Sequence, residues 1–232
     1  MSLRGACLGL CLSASATFGE PVHPADYDQL ARELSEVIDF ERLPQRPEPG
    51  FNLDNRFYAR GAWLGEHFAG QQITADAAGH DRLTDPAPAG WLSIASGEPG
   101  RNLSIAFHRG FGSNALFPLG ATGFPALEAR GEGAVALLFD HDQTALGFRI
   151  HTDYPDPLGA RPAPEGQLEV SFFARNGALL ARLEQTPGPG ISAFGYRHIG
   201  GGDGIAGLVI VNTDPGGIAI DDIIFAKPPL LG

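Results

Sequence analysis

Across most of the chain, apolar residues return at every second position, which is the periodicity of a strand with one buried face. The pattern is clearest in VIDFE (Val37 to Glu41), LSIAF (Leu103 to Phe107), AVALLF (Ala134 to Phe139) and LGFRIH (Leu146 to His151). It recurs in LEVSFFA (Leu168 to Ala174), LLARLE (Leu179 to Glu184) and AGLVIVN (Ala206 to Asn212), and all of these runs are predicted as strands. Turn residues separate them: ARNGA at Ala174 to Ala178, PGPG at Pro187 to Gly190, GGGDG at Gly200 to Gly204 and DPGG at Asp214 to Gly217. Asn176-Gly177 is the strongest hairpin signal, because both residue types accept the positive φ of a type I′ turn. One stretch departs from period two. In PADYDQLARELSEV, residues Tyr27, Leu30, Leu34 and Val37 recur at helical spacing behind Pro24 and Asp26, so one amphipathic helix is predicted between Pro24 and Val37. Residues 51–100, rich in Gly, Ala and Asp, predict long surface loops with short strands around Phe57 to Trp63 and Trp91 to Ala95. The spacing suits a β-sandwich, and no repeat of fixed period points to a propeller or solenoid.

The closing segment GGIAIDDIIFA, Gly216 to Ala226, puts two adjacent carboxylates inside an apolar strand. An unpaired charge there costs several kcal/mol or changes its pKa. Strict alternation would put Ala219, Asp221, Ile223 and Phe225 on one face and Ile220, Asp222 and Ile224 on the other. Asp221 is then expected to point inward with Phe225. A hard cation or a run of backbone N–H groups compensates such a carboxylate, and calcium accepts its oxygens readily.

The first residues read as a secretory leader, residues 1–19: Arg4 precedes an apolar stretch from Gly5 to Leu12, and Ala14, Ser15 and Ala16 fit a cleavage site. A cut after Gly19 is the alternative, and the apolar run is too short to span a bilayer. Leu10 before Cys11 departs from a lipid-attachment motif, which wants a small residue there. Both cysteines, Cys7 and Cys11, fall in the leader, so the mature chain is expected to hold no disulfide, thiol nucleophile or thiolate metal site. Cleavage after Ala16 would leave 15 basic against 27 acidic residues and move the net charge from −11 to −12. Such acidity disfavours nucleic acid and anionic membranes as partners. The expected compartment is the periplasm or the medium, with no membrane insertion of the mature form.

The opening D-F-E (Asp39, Phe40, Glu41) and the closing A-I-D-D-I-I-F resemble the calcium-stabilised jelly-roll carbohydrate-binding modules. The resemblance implies an all-β jelly-roll β-sandwich with one short N-terminal helix: a helical segment over 20–37, the sandwich over 38–227 and a tail at 228–232. It also implies that first and last strands lie side by side and share a structural calcium. The ligands carried over are Glu41 and Asp221, with Asp222 or a backbone carbonyl as additions. Calcium suits them because it takes six to eight oxygens, whereas zinc's imidazole and thiolate spacing is absent. The competing reading is that both aspartates bind turn backbone or face water.

Candidate ligand-binding residues are fewer. Trp91 alternates with Leu92 and Ile94, so its ring faces out if those two face the core, and Tyr154 lies in the loop-like DYPDP. Exposed aromatics of this kind bury the apolar faces of sugars. Asp140 and Asp142 flank His141 in FDHDQ, a set suited to acid-base work, to a metal, or to a solvated hairpin turn. The scattered histidines show no HExxH spacing, and Ser113 in GFGSN lacks the second glycine of a nucleophile elbow. The sequence therefore favours a non-catalytic module for glycans or another extracellular ligand. The alternatives are a surface or matrix interaction protein, and a small glycoside hydrolase or polysaccharide lyase.

Overall fold

The computed structural model describes residues 21–84, 90–152, 166–201 and 204–227. Its first half runs β1 (Val22–Ala25), α1 (Tyr27–Glu33), β2 (Glu36–Ile38), β3 (Phe51–Leu53), β4 (Phe57–Ala59), β5 (Ala62–Gly65), β6 (His67–Phe68), β7 (Gln72–Ala75), β8 (Asp81–Thr84) and β9 (Ile94–Ala95). Longer strands follow: β10 (Leu103–His108), β11 (Ser113–Pro118), β12 (Val135–Gln143), β13 (Ala145–His151), β14 (Leu168–Phe173), β15 (Leu179–Gln185), β16 (Ile191–His198), β17 (Ile205–Asn212) and β18 (Ala219–Phe225). One sheet has the order β1-β16-β13-β18-β11-β10-β3, with β2 also paired to β18; the other has the order β15-β14-β17-β12-β5-β4. From β11 onward the chain crosses between the sheets at every connection except the β14–β15 hairpin, so their inner faces close on each other as a jelly-roll sandwich with one short helix. Phe139, Phe148, Phe172, Tyr196 and Phe225 are buried in the core between the sheets.

The second sheet is covered on its outer face as well. The pairs β6–β9 and β7–β8 bring Phe68, Leu92 and Ile94 against Phe173, Val209 and Val211. Every residue of β17 is consequently buried, which explains why AGLVIVN reads as a continuous apolar run rather than a clean alternation.

The helix is shorter than its periodicity predicts. Asp26 caps it by accepting the Gln29 N–H at 2.6 Å, and it ends at Glu33, with Leu34 already extended. Residues Val22–Ala25 pair instead with β16, and Glu36–Ile38 pair with β18. A seven-residue helix has little stability of its own, so the flanking residues gain more from sheet hydrogen bonds. Tyr27 and Leu30 bury its apolar side against Ala145 and Ile224. The stretch Phe57 to Trp63 is likewise a hairpin, turning at Arg60-Gly61, where both residues have positive φ.

The last strand corrects the expected alternation. Arg149 pairs with Asp221 but Gly147 pairs with Ile224, so β18 carries a bulge, and Asp222 adopts φ 48°. Ile220, Ile223 and Phe225 all reach the core, while Asp221 shares the outer face with Ala219 and is not directed inward with Phe225.

Candidate functional site

The opening segment meets the last strand through β2, whereas the first strand, β1, pairs with β16, and Asp39 to Glu41 lie in the turn that follows β2 rather than in a strand. Phe40, buried at φ 55°, starts that turn, and the Leu43 N–H closes it on the Phe40 carbonyl. Asn114, at the start of β11, ties the turn down with its Nδ2, donating to the carbonyls of Phe40 (3.2 Å) and Leu43 (2.9 Å). Its backbone N–H donates to Glu41 Oε1 at 2.6 Å. One residue earlier, Ser113 Oγ donates to Asp221 Oδ2 at 2.7 Å, and Asp221 Oδ1 accepts the Asp222 N–H at 2.8 Å. Glu41 and Asp221 are therefore both anchored on Ser113-Asn114.

Asp221 is only 3% exposed. Burial pushes its carboxyl up to about 7, opposed by the Ser113 and Asp222 hydrogen bonds and reinforced by the negative charges of Asp222 and Glu41. A second signal lies alongside: Asn114 Oδ1 is buried and accepts no hydrogen bond. A buried carboxylate, an orphaned amide oxygen and the exposed Glu41 carboxylate form an all-oxygen donor set fitting a hard cation. Among the described residues no group of three or more His, Cys, Asp or Glu side chains is arranged to hold a metal, so this set relies on two carboxylates plus neutral oxygens. Asp222 does not join it. The bulge turns its carboxylate toward β13, where Arg149 Nη1 donates to Oδ2 at 3.0 Å, and its carbonyl accepts the Tyr27 hydroxyl at 2.8 Å.

Beyond the same turn lies a cleft of about 280 Å³, lined by Arg42, Tyr58, Arg60, Asp140 and Lys227 among others. Tyr58 and Trp63 are cross-strand partners on the β4–β5 hairpin, with ring centroids 4.9 Å apart. Arg56 lies over the Trp63 ring at 4.6 Å. Tyr58 is 49% exposed, and its hydroxyl donates to Asp140 Oδ2 at 2.8 Å, a bond that raises the phenol's pKa. Trp91 is 79% exposed, as its alternation with buried Leu92 and Ile94 predicts. The Leu92 N–H donates to the Arg175 carbonyl, and Arg175 donates in turn to Asp142 Oδ1 and the Phe139 carbonyl. Asp140 and Asp142 are thus exposed at the rim of the second sheet, each already holding a neighbour.

Tyr154 lies outside the described residues, as do the leader and the tail. Tyr58 and Trp63 are the ring pair that sequence reading passes over, because a seven-residue run does not show where a hairpin turns. Ser113 and Asn114 are missed for a similar reason: they bear no motif, and only the sheet order brings them between the chain's two ends.

No protein-family model matches the chain, and no curated protein matches it. Among solved structures, the chain is similar to the Clostridium thermocellum endo-1,4-β-D-xylanase 10B CBM22-1–GH10 modules complexed with xylohexaose. The TM-score is 0.31 and the identity 9%, over 55% of this chain and 24% of that one. This chain spans about a quarter of that structure's length.

Proposed function

We propose that the protein is an exported, non-catalytic carbohydrate-binding sandwich in which a structural calcium joins the first and last strands. The observation that carries this reading is the half-exposed Tyr58 ring, set on Trp63, held by Asp140 and opening onto a cleft. An aromatic face takes up the C–H side of a sugar ring while the polar groups beside it fix orientation. Trp91, just before β9 in the β6–β9 pair that covers the second sheet, offers a further exposed ring. The non-catalytic part rests on Asp140 and Asp142 being engaged by Tyr58 and Arg175, which keeps them as orienting groups.

Glu41, Asp221 and Asn114 Oδ1 are the groups that would hold the calcium, supplying hard oxygens and cancelling the charge of Asp221. When bound, the ion fixes the turn between Phe40 and Leu43, which also carries Arg42 into the cleft. Export is supported by the leader pattern of residues 1–19 and by the placing of both cysteines within it.

The test is binding to a panel of plant, bacterial and host polysaccharides with calcium present. Tyr58→Ala is expected to weaken the best ligand at least about tenfold, equivalent to 1.4 kcal/mol, and Trp91→Ala to weaken it less. Failure of every polysaccharide to bind, or full binding by the Tyr58→Ala variant, would overturn the reading.

A further inference from the structure

The cleft beside Tyr58 collects positive charge that the rest of this acidic chain neutralises. Among the described residues, Arg32, Arg42, Arg46, Arg56 and Arg60 have no described carboxylate within ion-pair distance. Three of these stand at the Tyr58 ledge: Arg42 and Arg60 line the cleft, and Arg56 covers Trp63. Lys227 also lines the cleft, 64% exposed, with Glu36 3.8 Å away. The cleft's other acid, Asp140, is held by the Tyr58 hydroxyl. Among the described residues, no carboxylate therefore answers the charges of Arg42 and Arg60.

Their placement is not a by-product of easy backbone geometry. Arg60 sits at the first of two positive-φ positions in its hairpin turn, at φ 46°, where Gly, Asn or Asp would be favoured. A long cationic side chain at that position is backbone strain of the kind that gathers around ligand sites. A second, largely apolar cavity of about 50 Å³ shares Arg42, Tyr58 and Arg60 as walls, so the guanidiniums border both polar and apolar space.

We propose that the ligand of this cleft is an anionic sugar residue, a uronate within an extracellular polysaccharide. This rests on the binding reading above and names its ligand class. A uronate presents the C–H face that stacks on Tyr58 and, at the ring's edge, a carboxylate. The planar carboxylate matches the fork of a guanidinium, which can donate two parallel hydrogen bonds to it. Neutral sugars would leave both guanidiniums unanswered. Because the chain carries a net charge of −11, a polyanion is repelled everywhere except at such a local positive island, which adds selectivity for position.

The experiment is a titration of the full chain, at fixed calcium, with trigalacturonate, a neutral trigalactoside and a sulfated trisaccharide, at low and high sodium chloride. Short oligomers are used because long polyuronates gel with calcium. Trigalacturonate is expected to bind at least tenfold tighter than the neutral sugar, and to lose most of that margin at high salt. Arg42→Gln and Arg60→Gln should each remove the margin and its salt dependence while leaving the thermal midpoint in place. Equal, salt-insensitive binding of neutral and uronic sugars overturns the uronate assignment and leaves the carbohydrate reading standing. Preference for the sulfated sugar also overturns it, in favour of a tetrahedral anion. Absence of binding by all three and by the polysaccharide panel overturns both.

Discussion

Three non-glycine residues of the described chain have left-handed backbone, namely Phe40, Arg60 and Asp222, and all three flank the candidate site. Each costs about 1–2 kcal/mol relative to an ordinary conformation. Phe40 aims Glu41 and Arg42 to opposite purposes, Asp222 parts the two aspartates, and Arg60 presents a cation. Relieving the last of these should separate stability from binding: Arg60→Gly is expected to raise unfolding stability by about 1 kcal/mol in urea while weakening uronate binding. Stability gained with binding intact would show that the arginine has no part in recognition. Asp81 offers an independent test far from the cleft. Burial pushes its carboxyl up to about 7, opposed by the Ala134 N–H hydrogen bond and by Arg101, whose Nη2 lies 3.8 Å away, and reinforced by the charge of Glu66. Between an ordinary value near 3.9 and about 7, the folded protein keeps a proton that the unfolded chain gives up, so stability declines as pH rises through that window. The decline is at most about 4 kcal/mol. Asp81→Asn keeps an acceptor for the Ala134 N–H and should flatten the slope measured by denaturant unfolding from pH 4 to 8; an unchanged slope would assign it to other groups. None of this was legible in the sequence, because φ and burial are set by neighbours remote along the chain.

At the scale of elements, period two located most of the long strands correctly, since a half-buried strand writes its orientation into every residue. It failed where a strand is irregular or where a helix gives way to a strand. The bulge in β18 adds one residue, and that single step moved Asp221 from the expected inner face to the outer one. The helical pattern ran past its true end because Leu34 and Val37 are apolar for another reason: they pack with the helix on the first sheet. Helix and bulge are tied by the Tyr27 hydroxyl on the Asp222 carbonyl. Tyr27→Phe should cost about 1 kcal/mol, read from the denaturation midpoint, with Asp222 left less fixed. A core truncation provides the scale: Phe172→Ala, fully buried between the sheets, is expected to cost about 3–5 kcal/mol. A larger loss from Tyr27→Phe than from Phe172→Ala would mean that the helix contact, rather than the sandwich core, governs stability.

For the molecule as a whole, the resemblance at its two ends agrees with the all-β sandwich, and the structure hydrogen-bonds Glu41 and Asp221 to the neighbouring residues Asn114 and Ser113. It did not reveal Ser113 or Asn114, which only the completed sheet supplies. If calcium joins the ends, its thorough removal should lower the thermal midpoint, by the equivalent of about 2.7 kcal/mol when calcium stands at a hundred times its dissociation constant. Asp221→Asn should make the protein indifferent to chelator, and a wild-type midpoint that ignores chelator would remove calcium from the account. The covered outer face of the second sheet carries its own consequence. With β6 to β9 roofing that surface, a polymer that binds at Tyr58, on the edge strand β4, would meet the second sheet beside the roof rather than along an open face. Recognition would then favour frayed or freshly cut strand tips over intact fibre, and the number of molecules taken up by a polysaccharide would rise as its chains are shortened.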